Sequence, residues 1–375
     1  MNRDYSYNHR QLLYACAVML LSPALRIIPA RSAALAGRSA WLSGIAALPI
    51  LLIYALFLCR FSEKIGSGEG AEALICRCLG EKPGKLVLLV TVLWFLVYCG
   101  FILRAGADRM ISTVYNDASP GVFVLVMAAL GLAAALSSER TILRSAKLMV
   151  PPVLGVLILV LAAAVPEIKS ENLLPLNSFE VLYSFKGAVV TVDAAVLPMV
   201  LTLFLADKKS SPDGQFTALA LWLAGISVLL FVMELCIIGS FGAPLTAELR
   251  QPFFVLVRNL VLFGSLERIE ALVVSLWVFS DFILVAVCLS AAQRVLRGLM
   301  GKRSGYAGER MLDMKNGRFL IWLCAVSAAV FALVFAPDSE SMTLWSDTVI
   351  PIANLTFAFA LLPIIYIVGK VRRKI

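Results

Sequence analysis

Ten stretches of this 375-residue chain are long and apolar enough to cross a lipid bilayer. They lie at roughly 11–30, 41–60, 86–106, 120–137, 147–165, 186–206, 216–241, 270–293, 318–336 and 348–369. A helix rising 1.5 Å per residue needs about 20 such residues to span the hydrocarbon. Inside it every backbone N–H and C=O must find a partner within the protein, so the segments are expected as helices and the fold class as all-α integral membrane. Composition agrees: 61% of residues are hydrophobic and 15% charged, where soluble domains carry about 45–50% and about 25%. The longest polar stretches, 61–85 and 297–317, are too short to form a second domain. One polytopic domain over 1–375 is expected, and its work is done in the membrane or at its faces.

The net charge of +9 would suit a nucleic-acid partner. Here, however, the basic residues sit in short connections between apolar segments, where they act as topology determinants. With the N-terminus inside, the cytoplasmic side collects 23 lysines and arginines against 9 outside, Arg26 lying within the first span. That bias places both termini in the cytoplasm and the protein in the cytoplasmic membrane as a multi-pass chain. A cleaved signal peptide ending near Ala30–Ala33 is the alternative for the first segment. Its length and the interruptions at Pro23 and Pro29 favour an uncleaved span. The external segment 244–264 holds two apolar runs around Arg258-Asn259, too apolar for a free loop and too charged for a span. It is expected as an interfacial or re-entrant helix across the outer mouth.

Enzymatic signals are missing from the sequence. There is one histidine, His9, and no glycine-rich phosphate loop, Gly-x-Ser-x-Gly elbow or metal-ligand pair at helical spacing. The eight cysteines (Cys16, Cys59, Cys76, Cys78, Cys99, Cys236, Cys288 and Cys324) are scattered through apolar segments and read as small apolar residues. No catalytic group, metal or cofactor is expected.

Ten spans divide into two halves, a first repeat at about 10–165 and a second at about 186–369. The opening span of each half carries helix-breaking residues: Ser22-Pro23-Ala24 in span 1, and Gly187, Thr191-Val192-Asp193-Ala194-Ala195 and Pro198 in span 6. Matching interruptions in two halves point to a five-plus-five inverted-repeat transporter fold with a midplane cavity between helices 1 and 6. An ionised side chain inside a span costs about 2.5–3.5 kcal/mol or more on insertion, so it faces a cavity or a partner. Four stand inside spans: Arg26, Asp193, Glu234 and Asp281. The depths of Arg26 and Asp193 differ by only about 5 Å, so they can pair structurally or hold a zwitterion, Arg26 taking a carboxylate and Asp193 an amine. Glu234 and Asp281 are candidates for ion coupling or for buried polar contacts.

Further pieces of the chain carry a family resemblance. They are Gln11, Pro29 followed by Ala36-Gly37-Arg38-Ser39-Ala40-Trp41-Leu42-Ser43, Glu171-Asn172-Leu173-Leu174-Pro175, Pro252 with Arg258, and Glu267-Arg268-Ile269-Glu270-Ala271 with Trp277. In order and spacing the chain resembles the B-subunits of spore germinant receptors, the spore germination permeases, within the amino acid–polyamine–organocation transporter superfamily. It departs from them at Ser39, commonly an aspartate, and in lacking glycine-rich breaks at Ser22-Pro23-Ala24 and Asp193-Ala194-Ala195. The resemblance implies a LeuT-like arrangement with a small-molecule nutrient, often an amino acid, bound between helices 1 and 6. It also implies residence in the spore inner membrane and signalling with an A-type membrane subunit and a C-type lipoprotein. The expected ligand-binding set is Ser22, Pro23, Ala24, Arg26, Thr191, Val192 and Asp193, with Tyr98 of span 3 as a wall by analogy with the superfamily. Two rivals stand beside the sensor: a secondary transporter of amino acids or related solutes coupled to H⁺ or Na⁺, and a scaffold whose cavity is vestigial.

Overall fold

The computed structural model describes residues 9–66, 69–113, 115, 118–175, 177–205, 215–260, 269–300, 311–335 and 338–374. Among them the chain is a succession of helices. The first half runs α1 (His9–Arg26), α2 (Ile28–Ala36), a 3₁₀ segment (Gly37–Leu42), α3 (Ser43–Glu63), α4 (Ala71–Leu79), α5 (Glu81–Thr113), α6 (Pro120–Ala135) and α7 (Glu139–Ala164). A short 3₁₀ turn and α8 (Ser170–Leu173) lead to α9 (Ser178–Leu205) and α10 (Gln215–Phe241). Two short helices, α11 (Ala243–Glu248) and α12 (Pro252–Asn259), precede α13 (Ile269–Leu299) and α14 (Met311–Val334). The last crossing is built from α15 (Ser339–Leu344), α16 (Ile350–Thr356) and α17 (Leu362–Val371), joined by π-helical turns at Trp345–Val349 and Phe357–Leu361.

Eight helical stretches among the described residues have the length and hydropathy to cross a membrane, and two shorter apolar helices, Gln11–Arg26 and Pro120–Ala135, join them. Together they account for the ten apolar segments of the sequence.

Local chemistry sets the helix ends. Pro120 and Pro252 occupy first positions, where a missing N–H costs nothing. Ser138 Oγ accepts from Thr141 N (3.2 Å) to start α7, and Asp338 Oδ1 accepts from Ser341 N (2.8 Å) to start α15. Gly242 takes φ +76° between α10 and α11, a conformation that a side chain would strain.

α9 is the centre of the bundle. Its most apolar window is 89% buried, against 28% for that of α7, and it packs on α1, α2, α3, α13 and α16. Lipid is as apolar as leucine, so helices in a membrane associate through close packing. Gly44 shows how: a Cβ there would stand 2.8 Å from Phe231 N, so only glycine lets α3 approach α10 this closely. The outer faces carry exposed apolar side chains such as Leu86, Leu125, Ile158, Leu221, Val326 and Ile352. At one end of the bundle Arg294 of α13 forms an ion pair with Glu139 of α7, its Nε donating to Oε1 at 2.7 Å, and its Nη1 reaches Phe204 O at 3.3 Å. The opposite end carries α11 and α12.

Two expectations shift. The external segment expected as one helix over 244–264 is two short helices broken at Leu249–Gln251, with 261–268 outside the described residues. α9 runs unbroken through Thr191–Ala195 and past Pro198. Asp193, Ala194 and Ala195 include no glycine to loosen the backbone, and a proline within an apolar helix is tolerated when neighbouring helices enclose it.

Candidate ligand site beside the opened first helix

The first helix is where the ladder of backbone bonds is disturbed. Pro23 has no N–H to donate. Immediately before it, the hydroxyl of Ser280 from α13 enters the ladder: Ser280 Oγ accepts from Ser22 N at 3.1 Å and donates to Val18 O. A side chain inserted in this way is a recognised cause of a kink. α1 nevertheless keeps helical geometry to Arg26, so the chain turns at Ile27, a few residues beyond the expected Ser22-Pro23-Ala24, and resumes as α2.

An ion pair stands beside this opening. Arg109 of α5 and Asp281 of α13, both buried, are bonded to each other, and Arg109 Nη1 donates to Ser22 Oγ at 2.8 Å. The guanidinium also lies 5.4 Å from the ring centroid of Trp277. Of the expected candidates, Asp281 and Ser22 are therefore brought together, with Arg109 as their common partner.

Arg26 points elsewhere. Its guanidinium sits over the Phe101 ring at 5.2 Å, and its Nε is buried without a hydrogen-bond acceptor. It lines a cavity of about 450 Å³ at the α11–α12 end, with Ala30 and Arg31 of α2, Asp108 and Arg109 of α5, Arg250 and Gln251 of the α11–α12 break, and Asp347 of the first π turn. Several other charges around this cavity are matched, and Glu248 of α11 also lines it. Arg31 pairs with Asp347 (3.4 Å) and bonds the carbonyls of Ser346 (2.9 Å) and Asp347 (2.8 Å). Asp108 faces Arg104 (3.2 Å) and Arg250 (3.6 Å).

The second half of the expected set lies deeper. Thr191, Val192 and Asp193 are buried on α9. Asp193 Oδ1 accepts from Asn354 Nδ2 of α16 at 2.9 Å, while Thr191 Oγ1 and Asn354 Oδ1 are buried without partners. Tyr98 is buried among aromatic rings, 6.4 Å from both Trp94 and Phe101, and within electrostatic reach of Arg26, Asp193 and Asp281. The contacts of Arg26 and Asp193 are with different residues, so the direct pair considered from the sequence is not formed. Ala24 faces an apolar cavity of about 220 Å³ between α1, α7 and α10. Glu234 is remote from this group, bonded to Ser32 of α2 and Gly44 of α3.

Sequence reasoning missed Ser280, Arg109 and Asn354. The only signal for Ser280 is its position next to Asp281. Arg109 falls three residues past the expected end of its span, and Asn354 is uncharged. Among the described residues no group of three His, Cys, Asp or Glu side chains could hold a metal ion.

The profile of the spore germination protein family matches residues 8–340. Curated proteins offer no significant sequence match. Among solved structures, the chain is similar to MHP1, a nucleobase-cation-symport-1 family transporter captured in a closed conformation with bromovinylhydantoin bound. The TM-score is 0.60 at 14% identity, covering 95% of this chain and 77% of that one. At that identity the likeness speaks for the fold: an all-helical, LeuT-like membrane architecture.

Proposed function

The chain belongs to the spore germination protein family, and from that premise we propose that it is the nutrient-sensing subunit of a germinant receptor. The ligand is a small molecule carrying a carboxylate, an amino acid being the simplest that fits. The observation that carries the reading is Arg26: a cation at the wall of a 450 Å³ cavity, stacked on Phe101, with its Nε unpartnered. A half-buried cation whose buried Nε lacks an acceptor favours an anionic ligand group. The unpartnered Thr191 Oγ1 and Asn354 Oδ1 supply polar groups for the remainder. Asp193 would take the amine once the ligand enters between α1 and α9.

In this reading the termini are cytoplasmic, the α11–α12 end faces outward, and the membrane is the spore inner membrane. Closure around the ligand biases an existing equilibrium that an A-type membrane subunit and a C-type lipoprotein read out. The test is binding of labelled amino acids to the purified protein. Arg26→Gln should abolish saturable binding while the protein reconstitutes normally; retained affinity in Arg26→Gln sinks the assignment. The fold likeness to a symporter with ligand bound favours a second reading, secondary transport coupled to H⁺ or Na⁺. Accumulation of labelled solute in proteoliposomes under an ion gradient would establish it.

A further inference from the structure

Glu234 is fully buried on α10 and lies at the meeting point of three helices. Its Oε1 is 2.5 Å from Ser32 Oγ of α2, and its Oε2 accepts from Gly44 N of α3 at 3.2 Å. Ser32 Oγ is also 2.6 Å from Ile28 O and 3.4 Å from Pro29 O. A serine hydroxyl has one hydrogen to give. Ile28 O can only accept, and an ionised carboxylate can only accept. Two acceptors as close as 2.5 and 2.6 Å to one hydroxyl oxygen share its single hydrogen poorly unless one of them brings a proton. Ile28 cannot. Glu234 can, as the un-ionised acid.

We propose that Glu234 is a proton-binding site, occupied in this conformation, whose acidic O–H donates to Ser32 Oγ while Ser32 donates to Ile28 O. The proton ties α2 to α10, and the other oxygen, by accepting from Gly44 N–H, ties both to the start of α3. A metal cation fits less well: an oxygen pair 2.5 Å apart is at hydrogen-bond distance, with no space between, and the second oxygen is already occupied by an N–H.

The surroundings leave the acid without a counter-charge. α10 carries no other charged residue. On α2, Arg31 is committed to Asp347, and on the 3₁₀ segment Arg38 Nη1 bonds Pro175 O. The charges of α3, Arg60 and Glu63, lie at its far end, about 24 Å along the helix from Gly44. Those of α7, Glu139 to Lys147, are at the opposite end of the bundle. Arg26 of α1 sits on Phe101, and Arg258 of α12 is exposed. Glu167, Lys169, Glu171 and Glu248 lie on or beside the remaining neighbours, and Glu180, Lys186 and Asp193 on α9; Glu234 interacts with none of them. An ionised carboxylate here would be a lone buried charge. Deprotonation leaves Ile28 O and the carboxylate sharing the single hydrogen of Ser32 and puts a lone charge at the junction, which loosens α2 from α10; this inference stands whether the protein senses or transports.

Infrared difference spectroscopy on the reconstituted protein tests it. Wild type at neutral pH should show a carboxylic-acid C=O band, sensitive to deuterium exchange, that Glu234→Gln removes. Glutamine keeps an N–H for Ser32 and a carbonyl for Gly44, so this variant should reconstitute. Ser32→Ala, which removes the acceptor and leaves the acid, should shift the same band to higher frequency without abolishing it. Raising the pH should remove the band and speed hydrogen exchange in α2. A wild-type spectrum from which Glu234→Gln removes nothing overturns the proposal. If Glu234→Gln does not fold, the Ser32→Ala spectrum decides: an unshifted band overturns the proposal.

Discussion

Arg109 and Asp281 form an ion pair between α5 and α13 with both side chains almost wholly buried, and the same guanidinium donates to Ser22 Oγ of α1 at 2.8 Å. Three helices are thus joined by one pair of charges. Breaking a buried pair leaves the survivor uncompensated, at a cost of about 3–5 kcal/mol, whereas replacing both partners with apolar residues of similar volume is often close to neutral. Asp281→Ala should therefore lower thermal stability in detergent sharply. The double variant Arg109→Met with Asp281→Leu should recover most of the loss. A double variant no more stable than the single one would show that the arginine is held by other groups.

Asn354 has one of its two polar atoms matched, through Nδ2 to Asp193 Oδ1 at 2.9 Å. Replacing it with alanine leaves a buried carboxylate short of a donor, at about 1–3 kcal/mol. Asn354→Ala should show that loss in thermal unfolding and weaken ligand affinity if Asp193 takes the amine. Unchanged affinity alongside reduced stability would confine the pair to a structural role.

Glu139 and Arg294 fasten the end of α9 through Phe204 O. Glu139→Gln weakens a charge-assisted contact that contributes roughly 1.5–3 kcal/mol when intact. The expected signature is faster hydrogen exchange over Met199–Leu205, with the α11–α12 end unaffected. Uniform acceleration across the bundle would mean that the contact is not local.

Asp338 caps α15 from outside the membrane-spanning stretch, and the backbone N–H and hydroxyl of Ser341 hold its carboxyl below the usual range. A group whose folded value is depressed stabilises above its unfolded value, about pH 4 for aspartate, and loses that contribution as acid titrates it through the folded value. The protection of the Ser341 amide, its rate relative to the intrinsic rate at each pH, should be greatest at neutral pH and fall below about pH 4. Asp338→Asn, which keeps an acceptor without the charge, should flatten that dependence.

Orientation is checked by labelling on a cysteine-depleted background. The proposed orientation, read from the 23-to-9 distribution of basic residues, has α12 outside and the end of α13 inside. An impermeant maleimide should label Arg258→Cys in intact cells and Met300→Cys only after permeabilisation. The reverse order would invert the whole topology.

The crossings were legible from sequence because hydrocarbon thickness imposes a length that composition alone can show. The opening in α1 was legible for a similar reason, since Pro23 lacks a donor wherever it sits. Partners were not. Ser22 and Ser280 are 258 residues apart, and Arg109 and Asp281 are 172 apart. No local pattern encodes a meeting over such separations. Arg26 and Asp193 stand at similar depths, yet depth leaves rotation about each helix axis undetermined, and that rotation gives Asp193 to Asn354 and Arg26 to Phe101. The unbroken α9 was hidden because Pro198 reads as a breaker in a single chain, and the enclosing helices that tolerate it are scattered through the sequence.

α5, at 33 residues, is about 50 Å long, while a hydrocarbon layer of about 30 Å crossed at a steep tilt of about 40° takes up only some 39 Å of helix. About seven residues must stand clear, and Glu81, Lys82 and Lys85 mark the end that does. α4 lies against that end, and Arg372 Nη1 from the end of the chain bonds Leu79 O at 2.6 Å. The first turns of α5, α4 and Arg372 thereby meet as one polar ledge at that end of the bundle.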